Sequence, residues 1–206
     1  MNFQECQRWV SIIKDIVTAI ATIIAAVVAI VGLYTWKKQL TGKTNYEMAR
    51  RLLKAVYKLR NAIRLVRNTW MSNAEMSHAI KETGIHIEQN DTDTRVKSAT
   101  AVYQIRWNKI SEAISDLEVE ALEAKVSLGN EVENRIARLI DCVSQLNLAI
   151  NEHLDRLKGL GTGMSNEQIN QILNEYNVEP KENPFTTRIN KCVDEIETLL
   201  KQYLQP

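Results

Sequence analysis

Residues Ile16 to Trp36 read IVTAIATIIAAVVAIVGLYTW, a stretch of 21 positions without a charge, and Lys37 and Lys38 follow at once. As an α-helix it rises about 1.5 Å per residue and reaches about 30 Å, the thickness of a bilayer's hydrocarbon core. Isoleucine and valine cover almost every side of it, a pattern unlike the one-sided stripe of a helix on a soluble core. The reading is a transmembrane helix over residues 16–36, after a short external or interfacial amino terminus over residues 1–15. Tyr34, Thr35, Trp36 and lysines close the run where a cleaved signal would show a small-residue cleavage site. They indicate a retained signal-anchor with an interfacial aromatic belt.

Charge is segregated around this run although the net charge of the 206 residues is only +1. Residues 1–36 are neutral overall, residues 37–74 carry ten Lys or Arg against Glu47 alone, and residues 75–206 carry a net −8. Basic residues beside a span are retained on the cytoplasmic side. The expected location is a bacterial inner membrane, with the amino terminus outside and the remainder cytoplasmic.

Only three prolines and seven glycines punctuate the chain, and helix-period patterns dominate it, so the fold class is all-α. Beyond the anchor the spacing predicts a long-helix bundle of four main helices plus one short one. A basic juxtamembrane segment, residues 37–68, contains an amphipathic helix striped by Ala49, Leu52, Val56, Leu59, Ile63 and Val66. Gly42 is expected to separate it from the span, with Thr44 or Asn45 as its cap. Arg50, Arg51, Lys54, Lys58, Arg60, Arg64 and Arg67 are assigned to its outer surface.

Residues 69–94 read as a polar loop with a short helix near Ala74–Lys81 and an exposed tip at Gln89–Thr94. Residues 95–206 read as the cytoplasmic bundle, packed with residues 45–68. Its first helix, Arg95–Leu128, carries Tyr103, Trp107, Ile110, Ile114, Leu117, Ala121, Ala124 and Leu128 at alternating spacings of four and three. Gly129 and Asn130 make a tight turn. The next helix, Glu131–Lys158, carries Val132, Ile136, Leu139, Val143, Leu146, Ile150 and Leu157 and should pack antiparallel to it. Gly159, Gly161 and Gly163 end that helix, Ser165 and Gln168 form a capping box for a short helix to about Tyr176, and Pro180 and Pro184 bracket a connector. The last helix, Pro184–Leu204, presents Ile189, Val193, Ile196, Leu200 and Tyr203 on one face.

Two constellations carry functional expectations. Within the anchor, Asp15, Thr18, Thr22, Ala25, Ala29 and Gly32 share one face, where small and hydroxyl side chains permit close approach of a second helix. Self-association into a homo-oligomer is the leading inference; a pore lined by this face, with Thr22 near mid-membrane, is the narrower one. Behind the anchor, Lys37, Lys38, Arg50, Arg51, Lys54 and Lys58 suit anionic lipid headgroups, nucleic-acid phosphates or an acidic protein surface, and the membrane reading leads because the block adjoins the span.

Signs of catalysis are weak. His78, His86 and His153 form no HExxH or HxxxH pattern, and His153 reads as a core histidine. Cys6, Cys142 and Cys192 are isolated and lack CxxC spacing, so neither a disulfide framework nor a zinc site is expected. Asp116, Glu118, Glu120 and Glu123 read as a solvated face. The triple-glycine segment lacks the lysine and preceding strand of a phosphate loop. No catalytic residue, metal or cofactor is assigned.

The stretch from Tyr34 to Thr44, continuing into Arg50–Tyr57, resembles a group of membrane-anchored bacterial proteins without an assigned activity. The layout of one span, a basic helix and a helical domain is also similar to small membrane effectors of antiviral systems, including the membrane accessory proteins of RNA-targeting CRISPR systems. That likeness implies an oligomeric, pore-like effector or a sensor in antiphage defence, with membrane lipids, further copies and an unidentified protein as partners. The alternative is a membrane-tethered nucleic-acid-binding protein or a ribonuclease like the helical HEPN enzymes. Their hallmark, Arg, then four to six residues, then His on one helix, does not occur here.

Overall fold

The computed structural model describes residues 3–85, 94–161, 163–175 and 183–204, with the side chains of residues 3–8, 10 and 11 outside that description. The expectations for Cys6, His86, residues 89–93, Tyr176 and Pro180 therefore lie outside the described residues. Six helices account for the regular structure, with no strand among the described residues: α1 Phe3–Val66, α2 Asn73–Thr83, α3 Thr94–Leu128, α4 Asn130–Leu157, α5 Asn166–Leu173 and α6 Pro184–Leu204. The chain divides into two units, Met1–Asn45 and Tyr46–Pro206.

In the first unit α1 carries the apolar run. Gly42 does not break it, and neither Thr44 nor Asn45 caps a new helix, because α1 continues to Val66. A single glycine weakens a helix by about 1 kcal/mol without a stop signal such as proline or a left-handed backbone. The Thr44 hydroxyl instead donates to the Leu40 carbonyl at 3.0 Å, back along the same helix.

In the second unit the apolar stripes close on one core. Ala49, Leu52, Val56, Leu59, Ile63 and Val66 of α1 are all buried with Ile110 and Leu117 of α3, Leu139 and Leu146 of α4, and Val193, Ile196 and Leu200 of α6. Polar pairs across the helices fix their directions. Arg51 reaches Glu120 and Glu123, whereas Lys58, two turns on, reaches Glu112 and Asp116, so α3 runs antiparallel to this part of α1. Lys125 meets Glu133 beside the turn and Tyr103 meets His153 far from it, so α4 returns antiparallel along α3. Arg188–Asp141 and Arg138–Glu195 set α6 antiparallel to α4.

The turn between α3 and α4 is a single residue. Gly129 sits at φ 84° and ψ −175°, a region open essentially only to glycine, and its placement reverses the chain at once. α5 starts at the expected capping box, with Ser165 and Gln168 bonding each other's backbone N–H groups, but ends at Leu173. The polar segment 69–94 holds a helix of three turns: the Ser72 hydroxyl accepts from the Glu75 N–H, and Gly84, left-handed at φ 68°, closes it. α2 packs on α3 through a satellite core of Ala79, Ala101 and Val102.

Candidate functional site

The anchor run comes first. From Ile12 to Leu40 the side chains are exposed, with Ile23, Val28, Ile30 and Leu33 each more than 60% open and Trp36 62% open at the end of the run. This helix is long and apolar enough to cross a membrane, and no part of its apolar window is buried against protein. Asp15, Thr18, Thr22, Ala25, Ala29 and Gly32 are exposed along it, like every other residue of the run. The Thr18 hydroxyl donates to the Lys14 carbonyl and the Thr22 hydroxyl to the Thr18 carbonyl, both at 2.8 Å. Each hydroxyl proton is thus satisfied within the helix, and the oxygen lone pairs remain to accept from a neighbour.

The basic face of α1 is divided among three environments. Arg51 and Lys58 engage the α3 carboxylates, with Lys58 Nζ 2.7 Å from Glu112 and 2.8 Å from Asp116. Hydrogen bonds to Asp116 and then Glu112 hold the Lys58 ammonium above its usual range. Asp116, Glu120 and Glu123 are accordingly partners of α1, not simply a solvated face.

Arg67 also leaves the outer surface to which its spacing assigned it, since only 1% of it is exposed. Its guanidinium donates to the Ile172 carbonyl at 2.6 Å and the Thr186 hydroxyl at 2.9 Å, and stacks over Phe185 at 5.1 Å. It ties the end of α1 to α5 and α6. Burial lowers its pKa, with nearby Glu175 opposing the shift.

The third environment is a groove of about 680 Å³ along α1, lined by Tyr46, Arg50, Leu53, Lys54, Tyr57, Lys58, Asn61 and Leu204. Arg50 and Lys54 form no side-chain ion pair or hydrogen bond among the described residues. The Tyr57 hydroxyl donates to Glu197 at 2.9 Å; burial first, and then this carboxylate, raise its pKa. Lys37 and Lys38 are exposed in the other unit.

A second groove, about 690 Å³, opens between α4, α5 and α6, with Leu148, Met164, Ile172 and Phe185 as its apolar lining and Gln145, Gln171 and Arg188 as polar groups. Gly163, the last of the three glycines, lines one side of it. Glu152 receives the Gly163 N–H at 3.0 Å and the Arg156 guanidinium at 3.2 Å. Burial would raise its pKa, but these bonds and one from the Met164 N–H outweigh that and lower it. A Cβ at Gly161 would lie 2.2 Å from Arg156 Cγ, so the glycine is needed for close approach as well as helix termination.

The remaining candidates have structural surroundings. His153 stands edge-on to Tyr103, with ring centroids 6.1 Å apart. Burial and then the charges of Arg95 and Arg156 lower its pKa. Cys142 and Cys192, isolated in sequence, are buried and within hydrogen-bonding reach of each other; burial is the main reason the Cys142 thiol is pushed up to about 11. Among the described residues no group of three or more His, Cys, Asp or Glu could hold a metal ion.

Sequence spacing missed two buried tethers. Arg106, 3% exposed, clasps Glu75 through two bonds of 2.8 Å and donates to the Asn68 and Trp70 carbonyls, joining α3 to the start of α2. Asn183 caps α6 by accepting from the Phe185 and Thr186 N–H groups and donates to the Gln171 and Asn174 carbonyls. It also missed an exposed apolar row on α3, Val119, Leu122 and Val126, which lies beside the core seam at spacings of three and four and could have been found by that period. Comparisons with family models, curated proteins and solved structures give no match for this chain.

Proposed function

We propose that the chain is a membrane-anchored helical protein that acts through assembly and partner binding. The observation that carries this reading is the fully exposed apolar surface around Ile16–Trp36, bounded by Lys37 and Lys38. The ten isoleucine, valine and leucine side chains of this stretch, open to water, would cost about 25 cal/mol for each Å². A bilayer removes that cost. The basic residues after the span support a cytoplasmic second unit, and the Thr18 and Thr22 oxygens in a row of small residues support contact between anchors. The uncovered Val119, Leu122 and Val126 row, with Val126 85% exposed, supports binding of a partner. An effector or sensor of antiphage defence at the bacterial inner membrane is the setting this layout suits.

The nucleic-acid reading is less well supported, because Arg51, Lys58 and Arg67 are already engaged within the chain. Alkaline carbonate extraction of membranes containing the full chain tests the anchor. The protein should remain in the pellet, and Ile23→Lys with Val27→Lys should move it to the supernatant. Quantitative release of the unaltered chain would end this reading.

A further inference from the structure

The division of the basic face places Arg50 and Lys54 apart from the other cations. They lie one turn apart on α1, about 5–6 Å between Cβ atoms, which is the spacing for two cations to share one phosphate group. Neither meets a carboxylate among the described residues, while Arg51 on the adjoining face and Lys58 at the groove's far end meet four between them. Leu53 and Leu204 add apolar surface to the same groove, and Tyr46, 42% exposed, is its first lining residue along α1. A polyanion tracking along α1 would need a continuous cationic row, which the α3 carboxylates interrupt. A single phosphate joined to an apolar body fits the groove's composition better.

We propose that this groove seats the phosphate of an anionic phospholipid, with Arg50 and Lys54 holding the phosphate and Leu53 and Leu204 meeting the glycerol and first acyl carbons. The inference rests on the membrane-anchored reading and deepens it by naming the lipid class. The guanidinium can present two parallel N–H donors to the phosphate oxygens, and the ammonium adds a point charge. A zwitterionic headgroup brings its own cation and gains less from either.

The full chain, released from detergent micelles doped with equal amounts of phosphatidylglycerol and phosphatidylcholine, is examined by native mass spectrometry. Phosphatidylglycerol adducts should exceed phosphatidylcholine adducts about tenfold, as two cations near a surface allow. Arg50→Gln with Lys54→Gln should bring the ratio to about one, and Lys37→Gln with Lys38→Gln should keep most of the excess. Far-UV circular dichroism checks that the variants remain helical, and Lys54→Glu alone replaces the double variant if it does not.

An unchanged ratio in the Arg50/Lys54 variant overturns the proposal, as does equal loss in the Lys37/Lys38 variant, which would mean diffuse electrostatics. Displacement of the lipid by inorganic phosphate would assign the groove to free phosphate instead. Displacement by an oligouridylate would assign it to RNA. The micelle measurement does not require bilayer insertion. A chain that carbonate extracts yet selects phosphatidylglycerol therefore sinks the anchor and keeps the groove, and an anchored chain without selectivity does the reverse.

Discussion

Arg67 holds three elements together with one side chain, because its planar guanidinium donates in two directions while its face covers Phe185. Arg67→Ala leaves the Ile172 carbonyl and the Thr186 hydroxyl without that donor and opens a space beside Phe185. The expected loss is about 3 kcal/mol, read from thermal unfolding of the full chain in mild detergent. Arg67→Lys should recover little, since one ammonium cannot serve both acceptors in the same geometry. His153 makes a second residue-scale prediction. Its folded pKa lies below its ordinary value of 6.5, so below pH 6.5 the unfolded chain binds the proton more readily and stability falls. That loss grows until the folded histidine itself protonates. His153→Gln should flatten the stability profile just below pH 6.5 and leave the steeper loss below about 4.5, where the Glu152 carboxylate contributes, in place. An unaltered profile near pH 6 would refute this assignment.

At the scale of elements, the helices with a regular apolar period were readable and the connections between them were less so. The stripes on α1, α4 and α6 are buried except at Leu157 and Tyr203, which are half-buried near the helix ends, and the Ser165 capping box lies where its S-x-x-Q spacing put it. Gly42 illustrates the opposite case. A glycine is only permissive, and without a second stop signal the i to i−4 ladder continues through it. Gly129 is different, because its φ of 84° with an extended ψ is a conformation an L-side chain strongly resists. Gly129→Ala should cost about 1–3 kcal/mol in the same unfolding measurement, whereas Gly42→Ala should leave the second unit's unfolding unchanged or raise it slightly. Equal, near-zero effects would mean the α3–α4 turn is not under this constraint.

For the whole molecule, the proposed assembly predicts contact between anchors. Cross-linking of intact membranes at native expression should give a ladder above the monomer, and Thr22→Leu should weaken it several-fold by replacing an acceptor and a slim side chain on the packing face. Monomer alone would remove the self-association argument. The sequence by itself determined the helical class, the apolar run from Ile16 to Trp36 and the inward faces of the long helices, because these depend on period and length within one segment. Only the tertiary structure decided where the charges act. Arg50, Arg51, Lys54, Lys58 and Arg67 are alike as sequence, yet two meet carboxylates some 50 to 70 positions away, one is buried on a carbonyl and a hydroxyl more than 100 positions away, and two line a groove without meeting a carboxylate among the described residues. The field at a cation is set by groups that folding brings to it, and those groups leave no periodic trace around the cation itself.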